Sequence, residues 1–260
     1  MGYFYFDESI HPRGRFVLGA FAYSEESLDN PVSEALRQGG LTPGIDEFKS
    51  GALMDRDPRQ RQVRELLFEI ARKFCRLGIV IAPDESRGVL GCEALRGLHK
   101  ILSTNTFETI SHKAFFDEGI FLNASAALRA SGDLFHGQPC SFQFEQDSSE
   151  ILGLQVSDLV AHSSAIMLLA QLGLMKKRIK AGVNSGYDPD SDIWLDLTLW
   201  ASLRPNFFAA PAPHPDTWKS QLDFQVDVAS RGLHIAETCE EGVRRAALTR
   251  FDSMYLGCIH

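Results

Sequence analysis

Four consecutive aromatic residues, Tyr3 to Phe6, lead directly into two adjacent acids, Asp7 and Glu8, in the stretch "YFYFDES". Successive side chains of a strand point to opposite faces, so an unbroken aromatic run needs apolar cover on both sides. That requirement places the run inside a layered fold rather than on an open sheet surface. It also raises a problem of charge. Ionised carboxylates at the end of such a strand are costly unless something compensates them, and the remaining sequence has to supply it.

The pattern downstream is an alternation of strands and helices. "HPRG" separates the first run from residues 15–23, "RFVLGAFAY", and suits the turn of a hairpin. A Gly/Pro-rich loop, "RQGGLTPGIDEFKSG", precedes a helix expected over residues 58–75. There Pro58 fits the first turn, and Val63, Leu66, Leu67, Ile70, Ala71 and Phe74 form an apolar stripe. Strands are expected over residues 77–83, 112–119 and 141–145, and helices over 88–104, 123–130 and 150–173. This order predicts an α/β fold, a mixed sheet opened by an antiparallel hairpin with helices on both faces. From about Ile193 onward the chain reads as helices broken by "RPNFFAAPAPHPD". The expected division is a domain over residues 1–175 and a helical C-terminal extension over 176–260, packed on the same domain.

Composition narrows the class. The 260 residues are 44% hydrophobic and 23% charged, the proportions of an ordinary globular chain long enough for a full core. No uninterrupted apolar stretch reaches roughly 18 residues, and no basic region followed by an apolar one opens the chain, so neither a membrane span nor a secretory leader is expected. Five scattered cysteines without a C-x-x-C pair argue for reduced thiols and against zinc or a disulfide framework, which makes the cytoplasm the expected compartment. A net charge of −8 argues against sequence-independent nucleic-acid binding through a basic surface. The positive charge is nevertheless clumped, in "RDPRQRQVR", "KKRIK" and "VRRAALTR", which read as solvated helix faces. "DPDSD" lacks the glycine and glutamate of a calcium loop and reads as a turn.

The acids that need explaining sit at strand ends or on apolar helix faces. They are Asp7 and Glu8, Glu47 in "DEFK", Asp117 and Glu118 at the end of "AFFDE", and Asp158 within "ILGLQVSDLVAHSSAIMLL". Pleating puts Asp7 and Glu8 on opposite faces, with Tyr3 and Tyr5 on the side of Asp7. Helical spacing aligns Gln155, Asp158 and His162 in one polar stripe of an otherwise apolar helix. Carboxylate oxygens without nearby cysteine suit Mg²⁺ or Mn²⁺ rather than zinc. Three or four of them can hold two such ions for in-line attack of water on a phosphodiester, the ions lowering the pKa of the water and stabilising the leaving oxygen.

"YFDES", then "EFK" at Glu47–Lys49, then a strand ending "FFDE", then "DSSEILGLQVSDLVA" together resemble the domain of unknown function 3800 family, which belongs to the RNase H-like superfamily. The resemblance covers about residues 3–172; it departs at Ile10, where the family usually has glycine after "DES", and at Ser157, where alanine is common. It implies an RNase H-like fold and a metal-binding acidic centre of Asp7, Glu47, Asp117 and Asp158, with Glu8 and Asp147 as outer or alternate ligands. Lys49 would hold a phosphate oxygen or neutralise the cluster, Gln155 would orient a ligand, and His162 would shuttle a proton or assist product release.

The expected function is therefore a Mg²⁺- or Mn²⁺-dependent nuclease with a nucleic-acid substrate and no membrane partner. One alternative is a non-catalytic binding or assembly module that meets a protein partner, or a second copy of itself, through its C-terminal helices. The other is a metal-dependent phosphoesterase acting on small nucleotides.

Overall fold

The computed structural model of the chain describes residues 1–52, 56–84, 87–121, 123–137, 139–182, 186–211 and 227–255. The aromatic run lies in β1 (Gly2–His11), which turns through a short 3₁₀ segment, Pro12–Gly14, into β2 (Phe16–Ser24). Then follow α1 (Asp29–Gln38), α2 (Pro58–Phe74), β3 (Arg76–Pro83), α3 (Arg87–Thr104), β4 (His112–Asp117), α4 (Ala124–Leu134), β5 (Cys140–Gln146) and α5 (Gly153–Gln171). The remainder carries β6 (Arg178–Lys180), β7 (Asp192–Trp194), α6 (Leu195–Leu203), β8 (Asp227–Ala229), β9 (Leu233–Ile235), α7 (Glu241–Phe251) and β10 (Ser253–Tyr255).

The fold is α/β, built on a mixed six-stranded sheet in the order β5-β4-β1-β2-β3-β9. β1 pairs antiparallel with β2 and β2 with β3, while β1–β4, β4–β5 and β3–β9 are parallel. β1 thus has a strand on each edge, and β2, all nine residues of which are buried, lies beside it.

Helices cover both faces, and the aromatic run shows how. Tyr5 lies beneath α5, where a Cβ at Gly153 would collide with its ring; only glycine lets this helix come so near the sheet. Tyr5 also stacks on Phe115 at 5.4 Å, and its hydroxyl accepts the Leu28 N–H at 3.1 Å, just before α1. Phe4 and Phe6 point the other way. Phe6 meets Phe21 at 4.5 Å and Phe116 at 5.6 Å, and a side chain at Gly19 would run into its ring. On that face α3 crosses β3, where a Cβ at Gly97 would lie 2.6 Å from Val80. Aromatic pairs in such geometries add about 0.5–1.5 kcal/mol each beyond the area they bury.

Three departures from expectation have physical reasons. The C-terminal part is not wholly helical: β9 joins the main sheet as its edge beside β3, and α7 packs on α5 and β9. At three residues, β9 is too short for a periodicity signal. Residues 212–226, including the end of the proline-rich break, lie outside the described residues, as does Cys258. α1 lies in a stretch without an expected element, although Pro31 in its first turn, the buried Val32, Ala35 and Leu36, and Gly39 just past its end are helix signals. α5, finally, is long and apolar enough to cross a membrane, at 19 residues and a mean hydropathy of 1.2; 83% of that stretch is buried against its neighbours. Its apolar positions surround the helix because the sheet lies beneath it and α2, α6 and α7 beside it.

Candidate functional site

Three of the expected acids converge beneath α5. Asp7 continues the face of Tyr5 along β1, Asp117 ends β4 on the face of Phe115, and Asp158 descends from α5. Each is part-buried, and each has its pKa raised. For Asp7 burial is the main cause, followed by repulsion from Asp117, Asp158 and Glu8; the Glu8 N–H, donating to Oδ1 at 2.6 Å, offsets this only in part. Burial and then Glu8 push Asp117 up to about 7, against relief from the Glu118 N–H and Lys49. Burial raises Asp158 too, despite two hydrogen bonds from Ser50: the N–H at 2.8 Å to Oδ2 and the hydroxyl at 2.5 Å to Oδ1.

The backbone is distorted where Asp117 is presented. The β4–β5 register slips between Phe115 and Asp117, and opposite the slip Glu145 adopts φ +55°, rare for a residue with a side chain. Bulges re-aim side chains and concentrate beside active sites, and local strain persists only where the surroundings enforce it. The Glu145 carboxylate accepts the Gly119 N–H at 3.0 Å, tying down the turn that follows Asp117.

The loop bearing Glu47, Lys49 and Ser50 is fixed from two sides. Buried Gln155 of α5 accepts the Phe48 N–H at 2.8 Å and donates to the Ser148 carbonyl at 2.9 Å, so one amide orients two loops. From α2, Gln60 donates to the Glu47 carbonyl at 2.8 Å and accepts the Lys49 N–H at 3.1 Å. α2 is itself started by Asp57, whose carboxylate accepts the Arg59 and Gln60 N–H groups, with Pro58 in the first turn.

Glu47 is engaged locally. Lys49 Nζ lies 2.8 Å from one of its oxygens, and the Ser148 hydroxyl donates to the other at 2.5 Å. Burial alone would lower Lys49, but its hydrogen bond and charge attraction to Glu47, with Asp158 and Asp117 beyond, leave its pKa raised. Asp147 lies exposed on the rim, where its side chain accepts the Ser149 N–H at 2.7 Å and its carbonyl caps the same turn; those backbone and hydroxyl bonds from Ser149 lower its pKa. Glu8 contributes its field to Asp7 and Asp117, and Glu118 lies exposed past the end of β4.

His162 lies one turn after Asp158 on α5. It lines a neighbouring cleft with Ser50 and Arg64, and its ring lies 6.4 Å from that of His11. Burial, then Arg64 and His11, press its pKa down to about 4. It is neutral at neutral pH and faces cations, which does not suit a proton carrier between the carboxylates.

The donors at this centre are hard oxygens, and the repulsion that Asp117 and Asp158 exert on Asp7 is the electrostatic condition that a divalent cation relieves. Chemically they fit Mg²⁺ or Mn²⁺. The shell is not assembled, however: among the described residues no group of three or more His, Cys, Asp or Glu side chains is arranged to hold a metal ion. Asp158 is turned to Ser50, and Glu47 to Lys49 and Ser148.

Ser50, Ser148, Gln60 and Glu145 are the contributors that sequence reasoning passed over. Ser148 lies within the quoted "DSSE" motif and Ser50 directly follows "EFK", so position was the available signal for both. The register slip at Glu145 leaves no mark in the residue pattern. No protein-family model and no curated protein matches this chain.

Proposed function

We propose that the chain is a divalent-metal-dependent phosphodiester hydrolase of RNase H-like type, acting on nucleic acid. One observation carries the reading: Asp7, Asp117 and Asp158, from two strands and a helix on one face of the sheet, all have raised pKa values, chiefly through burial, with Asp117 and Asp158 repelling Asp7 and Lys49 relieving Asp117 and Asp158 only in part. Structural acids are ordinarily paired, and strongly perturbed, clustered carboxylates mark sites of chemistry. The likeness of "YFDES", "EFK" and "DSSEILGLQVSDLVA" to the domain of unknown function 3800 family supports the same reading.

Asp7, Asp117 and Asp158 would hold the metal, and Glu47 would join them by exchanging its Lys49 and Ser148 partners. Such an ion, when bound, lowers the pKa of water and offsets charge on phosphate oxygens. Gln155 keeps the Phe48 and Ser148 loops in register, and Lys49 would supply a positive charge for a phosphate oxygen.

Purified protein with Mn²⁺ or Mg²⁺ is expected to cleave single- or double-stranded DNA or RNA, with activity lost in chelator and in Asp7→Asn and Asp158→Asn. Wild-type rates in both variants would overturn the reading.

A second reading, a non-catalytic module, is favoured by the closed contacts of Glu47 and Asp158 and by the unassembled shell. Calorimetry separates the two. Mn²⁺ binding that vanishes in Asp158→Asn supports the hydrolase, and no binding at millimolar Mn²⁺ supports the module.

A further inference from the structure

A cleft of about 440 Å³ opens beside the carboxylates and is lined by positive charge. One wall is α2, where Arg61, Arg64, Phe68 and Arg72 recur at helical spacing and face it together. Lys177 and Ile179, ahead of α6, and His162 and Ile166 of α5 also line the cleft. Glu65 is the one carboxylate among the described lining residues. Among the described residues Arg61, Arg64, Arg72 and Lys177 make no ion pair; Arg64 instead lies over the Phe68 ring at 5.6 Å. Four uncommitted cations around one concavity are unusual in a chain with a net charge of −8, and a concave wall focuses their field.

The cleft also leads to the acids. Ser50 is among its lining residues, and the same Ser50 hydroxyl donates to Asp158. Arg61 and Arg72 are eleven positions apart, about 16 Å along the helix at about 1.5 Å per residue. A single phosphate cannot engage both. The volume, in turn, is that of a small-molecule cleft and too small to seat both strands of a duplex.

We propose that this cleft binds the backbone of a single-stranded nucleic acid, with Arg61, Arg64, Arg72 and Lys177 as phosphate partners, and directs the strand to the carboxylate centre. The proposal rests on the hydrolytic reading for the purpose of the cleft, though its binding test does not. The arginine-rich stretch that reads as a solvated helix face is thereby a binding wall. Phe68, beneath Arg64, gives that wall an apolar floor rather than an open stacking platform, so recognition is of backbone and independent of base sequence.

The test is fluorescence anisotropy of a 5′-labelled 12-nucleotide oligothymidylate, and separately oligouridylate, in EDTA across 50–200 mM NaCl. The triple variant Arg61→Gln, Arg72→Gln, Lys177→Gln changes only exposed side chains and is expected to melt like the wild type. Its affinity should fall tenfold or more at 0.1 M salt, and its salt slope should flatten by about 0.7 for each phosphate contact removed. Unchanged affinity in the triple variant overturns the proposal. So does a duplex 12-mer competing as well as the single strand, or thymidine monophosphate competing at the same concentration as the oligomer. Cleft-dependent binding without Mn²⁺-dependent cleavage sinks the hydrolytic reading and leaves the cleft; cleavage with cleft-independent binding does the reverse.

Discussion

On the α3 face of the sheet, Glu93 is buried to 4% exposure between two partners: Arg96 Nη1 at 2.5 Å and His234 Nε2 at 2.6 Å. On the α5 face, Asp7 is surrounded by Asp117, Asp158 and Glu8, all of which repel its charge. One acid is buried and the other part-buried in the same fold, and they are treated in opposite ways. Glu93 ties α3 to the edge strand β9, so its charge does structural work through local pairing. Asp7 receives one backbone hydrogen bond from Glu8 and otherwise like charge, an arrangement that costs stability by itself and makes sense when a cation is supplied from outside.

The largest effect should come from neutralising the unpaired site. Asp7→Asn is expected to lower Mn²⁺-dependent hydrolysis by about a thousandfold or more while leaving the melting temperature in chelator unchanged or higher, because a repelled charge is removed. Loss of stability with full activity would erase the contrast between the faces. Glu93→Ala should behave the other way. It removes the buried carboxylate to which part-buried His234 and exposed Arg96 bond, and is expected to cost about 2 kcal/mol in denaturant unfolding, with early amide exchange in β9 and an unchanged rate of hydrolysis below the melting transition. An unaltered unfolding midpoint would show that β9 is held by its backbone pairing to β3 alone.

Gln155 sharpens the comparison from inside the α5 face, since it is a buried polar group that is fully used. Gln155→Leu leaves the Phe48 N–H and Ser148 carbonyl without their partner and should cost about 2 kcal/mol. Because both loops flank Glu47, activity should fall as well, by more than the unfolded fraction explains. Stability loss without any change in rate would reduce Gln155 to a packing residue.

The contrast was half legible in the residues themselves. β1, β2, α2, β3, β4, β5 and α5 announce themselves through periodicity and flanking Pro or Gly, and the position of Asp158 on an all-round apolar helix marks it at once. Which groups surround these acids is a property of tertiary neighbours. Residues 47–50 meet Asp158 across more than a hundred residues of chain, and no local pattern encodes Ser50 as its partner. The polar stripe of Gln155, Asp158 and His162 is real as spacing and misleading as chemistry. One member locks loops, one joins the carboxylates, and one faces Arg64 across the cleft. β9 was invisible because three residues borrow their strand character from β3.

The smallest expected effect is a pH dependence, and its sign follows from the direction of the shift. Asp117 has a folded pKa of about 7 against an ordinary 3.8, so between those values the folded chain holds a proton that the unfolded chain has released. Stability from this group is therefore greatest below about pH 4, declines as pH rises, and reaches its full penalty above about 7. Asp117 is partly exposed, and solvent screening reduces the penalty to the order of 1 kcal/mol. Measured in EDTA, the stability of Asp117→Asn relative to wild type should rise by that amount between pH 4 and pH 8, and Mn²⁺ at pH 8 should close the gap by stabilising the wild type. Parallel stability curves for the two proteins would mean that Asp117 is relieved by Lys49 more completely than the raised pKa implies, and the α5 face would then resemble the Glu93 site after all.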